Sequence, residues 1–227
     1  MIESKAWDWE KVEENEKEKI WLQPCIESYF LINRWKQQNK KSFLDIGCGL
    51  GRHTIQFAKA GFETQAIDLS TKAIESASQW ARKENLTVQF LQCDMLNLPF
   101  KNEMFDCILC RNVISHTDTE GIKKIIQKLY DILKINGECF LTLGSKSANT
   151  FKNPNNILVD ENTKLRMDEG PEKGVPHFYA DMNIIPSLFH QFEIIYIAQV
   201  EDFKQENNEF KSRWHYVMLI RRKENEK

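Results

Sequence analysis

Little in this 227-residue sequence is in excess, and several features are missing. Lys plus Arg number 31 and Asp plus Glu number 33, a formal net charge of −2. Gripping a phosphate backbone takes a concentrated basic surface, which this balance does not supply, so no nucleic-acid partner is expected. No apolar run approaches the ~20 residues of a spanning helix, so no membrane span is expected. The opening stretch MIESKAWDWEKVEENEKEK lacks the apolar segment of a secretory signal and is crowded with acids, unlike a transit peptide. Six cysteines show no framework spacing. Without an export signal they are expected as reduced thiols, and the protein as cytoplasmic. Cys107 and Cys110 spell C-x-x-C. The run FDCILCRNV reads as a strand, however, where positions three apart point to opposite faces and cannot share an ion. No metal is expected. Internal repeats and low-complexity tracts are absent.

What is present is an alternation. SFLDIGC, ETQAIDLS, VQFLQCD, FDCILCRNV and GECFLTLGS read as five strands. Between them RHTIQFAKAG, TKAIESASQWARKEN and residues 119–135 read as helices, the last on the amphipathic set Ile122, Ile125, Ile126, Leu129, Ile132 and Leu133, ended by Asn136-Gly137. Ser70 or Thr71 is expected to cap the second of these helices. Such alternation implies a parallel sheet with helices on both faces. FEIIYIAQV and WHYVMLIRRK supply two late strands.

Four segments follow from this pattern: a helical lid or cap over 1–40, a ligand-binding core over 41–144, a substrate-covering loop insertion over 145–179, and the rest of the same core over 180–227. Residues 8–37 read as helical, beginning with the charged WEKVEENEKEKI. Leu22, Cys25, Ile26, Tyr29 and Phe30 then form an apolar stripe. That stripe suits packing against the core, or else a lid with Trp7, Trp9, Trp21 and Tyr29 as wall residues. Loops as long and polar as 145–178 are usually functional covers or disordered.

Only nine glycines occur, and three of them stand at 47, 49 and 51 in LDIGCGLG, at the end of the first strand. They permit a sharp turn and close approach of a ligand to bare backbone, and the helix that follows aims unpaired N–H groups at that ligand. A dinucleotide site would carry G-x-G-x-x-G. Here the spacing is G-x-G-x-G with Asp45 two residues ahead, an acid that opposes a pyrophosphate and suits an ammonium. Asp68 ends the next strand 21 residues after Gly47, where an acid accepts ribose hydroxyls, and Asp94 ends the third, where it suits an exocyclic amine.

FLDIGCGLGRHT, AIDLS, CDMLNLPF, FDCILCRNVISH and LYDILKINGECFLTL together resemble the successive motifs of class I S-adenosylmethionine-dependent methyltransferases. The resemblance implies an α/β, Rossmann-like, mostly parallel seven-stranded sheet of order 3-2-1-4-5-7-6, with the last strand antiparallel and helices on both faces. It implies S-adenosylmethionine as cofactor and S-adenosylhomocysteine as product. Gly47, Gly49 and Gly51 would underlie the methionine portion and ribose, and Asp45 would approach the methionine amino group. Asp68 would bind the ribose diol with Leu69 on the adenine. Asp94 would accept from the adenine N6 beside Met95, and Arg111 and Asn112 would meet the methionine end. After the fourth strand the chain has RNVISH, not the Asn-Pro-Pro-Tyr type sequence of amino-group nucleic-acid methylases.

A small-molecule acceptor is expected, with a protein or RNA acceptor, a cofactor-binding protein without transferase activity, and a nicotinamide-dependent oxidoreductase as rivals. His116, a few residues beyond the fourth strand, is a candidate general base or a loop-orienting residue. His177, at the end of the 145–178 stretch, is a second candidate placed to fold over the acceptor.

Overall fold

The computed structural model describes residues 4–12, 20–206 and 209–224. Five parallel strands form the centre: β1 (Ser42–Ile46), β2 (Glu63–Asp68), β3 (Val88–Gln92), β4 (Phe105–Cys110) and β5 (Leu133–Ser145), in spatial order β3-β2-β1-β4-β5. β10 (Glu209–Arg222) pairs antiparallel with β5, and β9 (Phe192–Glu206) antiparallel with β10. Counting β9 as the sixth strand and β10 as the seventh, the main sheet has the expected order 3-2-1-4-5-7-6. Apolar runs such as SFLDI are nearly all buried because helices cover both faces of a parallel sheet. The register sets Ile46 opposite Ile67, so the glycine turn after β1 and Asp68 at the end of β2 share one edge.

α1 (Ile26–Gln37), α2 (Arg52–Lys59), α3 (Thr71–Lys83) and α4 (Thr119–Ile132) flank this sheet. α4 buries Ile122, Ile125, Ile126 and Leu129 in one core, and α1 buries Leu31 and Trp35 in the other, against Phe43 and Phe57, whose rings stack at 3.9 Å. Cys107 and Cys110 fall in different cores, as strand alternation requires. The Ser70 hydroxyl accepts from Ala73 N–H and caps α3.

The N-terminal stripe is out of phase with the expectation. Within α1 the buried set is Ser28, Leu31 and Trp35, while Ile26, Tyr29 and Phe30 are exposed. Trp35 fixes that phase, because its indole N–H donates to Glu138 at 2.9 Å while its ring fills the core. Ahead of it, among the described residues, Trp9–Lys11 forms a short 3-10 turn and residues 20–21 are π-helical, while residues 13–19 of the expected helix lie outside the described residues. α4 also stops early, at Ile132. Leu133 is already extended and pairs with Phe105, so Asn136-Gly137 forms a bulge inside β5 with Asn136 at φ +63°.

Residues 145–179 are not a structureless loop. They contain α5 (Asn149–Lys152), β6 (Ile157–Asp160), β7 (Thr163–Leu165) and β8 (Pro176–Ala180). The three strands pair antiparallel, and β8 joins β5 in parallel at Gly144↔Tyr179 and Ser145↔Ala180. β4's last pair with β5 is Cys110↔Leu141, and β10 holds β5's other edge. β8 therefore continues the β4 side beyond the end of β4. β6 is apolar but exposed, β7 is three residues long and β8 is buried throughout, so none shows a half-buried strand's alternation; side-chain bonds such as Asp160 accepting from the Thr119 hydroxyl at 2.7 Å help to hold them. The helix expected after them shrinks to α6 (Ile185–Leu188). Among the described residues no helix is long and apolar enough to cross a membrane.

Candidate functional site

A cleft opens at the carboxyl ends of β1, β2 and β4, where open α/β sheets bind ligands. The turn after β1 builds its floor. Gly47 and Cys48 N–H both donate to Ile67 O, at 2.8 and 2.9 Å, which folds the turn back onto β2. Gly47 sits at φ +69°, and a Cβ there would drive into the Val113 side chain. Gly49 supports Trp9 directly: a Cβ on Gly49 would lie 2.9 Å from the indole. Gly51 does something else. It starts α2 in a left-handed conformation at φ +96°, a Cβ there would meet the Ala77 Cβ at 2.8 Å, and it does not line the cleft. Its smallness serves the contact between α2 and α3.

The three acids divide similarly. Asp68 lines the cleft. Its Oδ2 accepts from Gly49 N–H at 2.8 Å and its Oδ1 from Ser70 N–H at 2.9 Å, which locks the carboxylate in place. Asp94 lines the cleft with Leu69 and Met95, and its Oδ1 accepts from Leu96 N–H at 2.9 Å. Asp45 is set back. It is buried, it accepts from the Thr54 hydroxyl at 2.6 Å, and it is not among the lining residues. Burial pushes its carboxyl up to about 6, against the Thr54 bond and the Arg52 charge, which lower it.

The N-terminal segment covers the cleft. Trp7, Trp9 and Trp21 pack together with centroids 5.3–6.0 Å apart, and all three line it. The Nε1 donors of Trp7 and Trp9 are buried without a partner. Arg52 lies over Trp21 at 5.2 Å and donates to Ile20 O at 2.6 Å, which ties the cover to α2. Tyr29, considered as a wall residue, is 61% exposed on α1 and is absent from the lining. His53 accepts from Cys25 N–H at 3.2 Å, and burial pushes its basicity well below the ordinary value.

At the far end stand Arg111, Asn112, Val113 and His116, all following β4. Asn112 takes φ +57°, its N–H donates to the Thr142 hydroxyl at 2.8 Å, and its side-chain oxygen accepts from the same group at 3.1 Å. Arg111 Nη1 donates to Asn112 Oδ1 at 3.3 Å, its Nη2 lies 3.8 Å from Glu27 Oε1, and its buried Nε has no hydrogen-bond partner. A guanidinium lining a cleft suits a carboxylate. With the bare turn and the acids at the other end, the wall complements a ligand carrying a carboxylate at one end and a ribose and amine-bearing base at the other. S-adenosylmethionine has that layout, so the residues present fit it.

Beyond the cleft, β8 brings His177 to His116, with ring centroids 4.6 Å apart, and Trp7 stacks on His116 at 6.2 Å. His177 Nε2 lies 3.5 Å from Glu172 Oε1, and Arg166 Nη1 holds Glu172 Oε2 at 2.7 Å. Burial first, and then the neighbouring His177, pushes His116 down to about 3. An imidazole that holds a proton so weakly is a poor general base at neutral pH, which counts against that role for His116. Glu172 and Arg166 were missed in the sequence. The only signal was the position of Glu172 five residues before His177.

The family model for a methyltransferase domain matches residues 43–137. A ubiquinone biosynthesis O-methyltransferase of Rickettsia felis is 27% identical over 121 residues, 53% of this chain and 48% of that protein. The chain thus spans about half the length of the curated relatives it matches first. Among solved structures, a SAM-dependent methyltransferase from Methanosarcina mazei superposes with a TM-score of 0.70 at 21% identity, covering 85% of this chain and 97% of that one. A magnesium protoporphyrin IX methyltransferase from Synechocystis with bound SAM gives a TM-score of 0.57 at 17% identity, covering 86% and 78%.

Proposed function

We propose that this chain, through residues 43–137, is a class I S-adenosylmethionine-dependent methyltransferase and that it transfers a methyl group to the hydroxyl of a small molecule. The observation that carries the reading is a single cleft that joins Gly49, Asp68, Asp94 and Met95 at one end to Arg111 and His116 at the other, beneath three tryptophans. In this reading Asp68 holds the ribose diol, Leu69 and Met95 pack on the adenine, and Asp94 accepts from its amino group. Gly47 and Gly49 present bare backbone, while Arg111 and Asn112 hold the methionine end. Asp45 reaches the methionine amino group only through water, and Gly51 acts by shaping the turn.

When bound, S-adenosylmethionine supplies a methyl group already activated by its sulfonium. The chain's own residues then need to hold the acceptor in line and exclude water. The tryptophan cover and the β6–β8 sheet support exclusion, and His116 with His177 marks the acceptor end. The near-balanced charge supports a small acceptor over RNA. The name of the Rickettsia relatives supports oxygen as the atom methylated. The six cysteines all stand free of disulfides, which supports a reducing, cytoplasmic setting.

Incubating the chain with S-adenosylmethionine labelled on its methyl group, alongside a panel of phenols and hydroxy acids, RNA and a denatured protein mixture, tests this reading. Label is expected in one or more small hydroxyl compounds. Label only in RNA or protein would overturn the acceptor class, and label in nothing while S-adenosylhomocysteine binds would favour a binding protein without transferase activity.

A further inference from the structure

His116, Glu172 and His177 form the one cluster among the described residues whose donor atoms converge as metal ligands would. Each offers one ligand atom, and those atoms all lie within 4.8 Å of one another. They reach that point from separate places: His116 from the segment after β4, Glu172 from the turn before β8, and His177 from β8 itself. The hydrogen bonds around them define which lone pairs are free. His177 Nδ1 lies 3.1 Å from Val175 O. A carbonyl can only accept, so Nδ1 donates to it and Nε2 is the ring nitrogen turned to Glu172, 3.5 Å from Oε1. A proton on Nε2 or a metal ion can occupy the space between Nε2 and Oε1. Arg166 does not fill this place, because it bonds the opposite carboxylate oxygen, Oε2.

We propose that His116, Glu172 and His177 bind one divalent transition-metal ion of the zinc type, which takes the hydroxyl oxygen of the methyl acceptor in an open position. Two imidazoles and a carboxylate make a ligand set that suits such an ion and leaves room for a substrate. Bonds of about 2.1 Å place ligand atoms roughly 3.4 Å apart in a tetrahedral site, so small side-chain movements close this cluster around an ion. Val175 O orients His177 and Arg166 orients Glu172. The ion's charge would lower the pKa of a bound hydroxyl. The proton leaves to water and the oxygen keeps the electron pair, which supplies an anionic acceptor without a protein base. His116 also lines the cofactor cleft, so the ion would stand next to it. The role of the ion in acceptor binding rests on the proposed methyl transfer. The ion site itself does not.

The test uses the full chain without an affinity tag, stripped with chelator and titrated with Co²⁺, whose visible spectrum reports its ligands. The expected result is one Co²⁺ per chain, displaced by Zn²⁺, with bands that shift on adding phenol. His177→Ala and Glu172→Gln should each weaken binding more than roughly tenfold, while Cys25→Ser and Cys93→Ser leave it unchanged. Circular dichroism checks that the variants fold, and His116→Gln serves if His177→Ala does not. Absence of Co²⁺ binding, or binding that the ligand variants do not weaken, would overturn the proposal, the second outcome being an adventitious ion only. A parallel titration with S-adenosylhomocysteine separates the two claims. Cofactor binding without Co²⁺ binding overturns the metal site alone, and Co²⁺ binding without cofactor binding overturns the cofactor reading alone.

Discussion

Asp68 Oδ2 accepts a hydrogen bond from Gly49 N–H at 2.8 Å, so the acid that ends β2 is tied to the turn that ends β1. One carboxylate therefore braces the floor of the cleft and presents its remaining lone pairs to a ligand. Asp68→Ala should weaken S-adenosylhomocysteine binding roughly ten- to a hundredfold, because a charge-assisted bond and the brace are lost together. Asp68→Asn should fall between the two. Calorimetry measures both, and unchanged affinity in Asp68→Ala would remove the ribose role.

Gly47→Ala should lower stability and cofactor affinity together. The new methyl would meet Val113, and φ +69° itself costs about 1–2 kcal/mol for a residue with a Cβ. Adding Val113→Ala should recover only part of the steric cost, because it removes Cγ2 at 2.3 Å and Cγ1 at 3.0 Å but keeps Cβ at 2.6 Å, and it leaves the backbone part. Thermal melts of the single and double variants separate them, and a double variant no more stable than Gly47→Ala would contradict the assigned clash.

Trp9 lies on Gly49, and its indole N–H has no partner. Trp9→Ala should weaken S-adenosylhomocysteine roughly tenfold, mainly through faster release, since it opens the cover. Stopped-flow fluorescence reads this directly. An unchanged release rate would make the tryptophan cluster a packing element only.

Two buried acids should respond oppositely to pH. Asp45 is raised by burial to about 6, from an ordinary value of 3.8. Above pH 6 the native state carries the penalty of a buried charge. As pH falls through 6 the folded state takes up the proton first, so this group's share of stability rises on acidification. Asp45→Asn should therefore stabilise the fold at pH 8 and make little difference at pH 4. For Glu138 burial alone would raise the carboxyl, but Arg34, Arg221 and the Trp35 indole outweigh it and hold it at about 2. Its contribution is full above 4.5 and is lost as pH falls toward 2. Glu138→Gln should destabilise by about 3–5 kcal/mol at neutral pH, with the deficit shrinking in acid. Urea denaturation across pH checks both signs, and a pH-independent effect of either substitution would contradict its account.

The parts of this fold legible in the sequence were those set by short-range pattern. The apolar run SFLDI, the amphipathic α4 and the glycine turn with Asp68 and Asp94 at successive strand ends were all visible, because each is a local periodicity or a fixed spacing. What depended on distant partners was not. The phase of α1 is decided by Trp35 bonding Glu138, 103 residues away. Asp45 looks like a ligand-facing acid by spacing, and only the Thr54 hydroxyl shows that it points behind the turn. The β6–β8 sheet reads as loop because its strands are short and stand among turn-forming residues, and the meeting of His116 with His177 follows from β8 extending the sheet past β4.

The central claim is tested most directly by calorimetric titration of the full chain with S-adenosylhomocysteine, with NADH in parallel. The expected result is one site per chain for S-adenosylhomocysteine and no heat from NADH, with binding weakened roughly ten- to a hundredfold in Asp68→Ala. Binding of NADH in place of S-adenosylhomocysteine would contradict the account at its base.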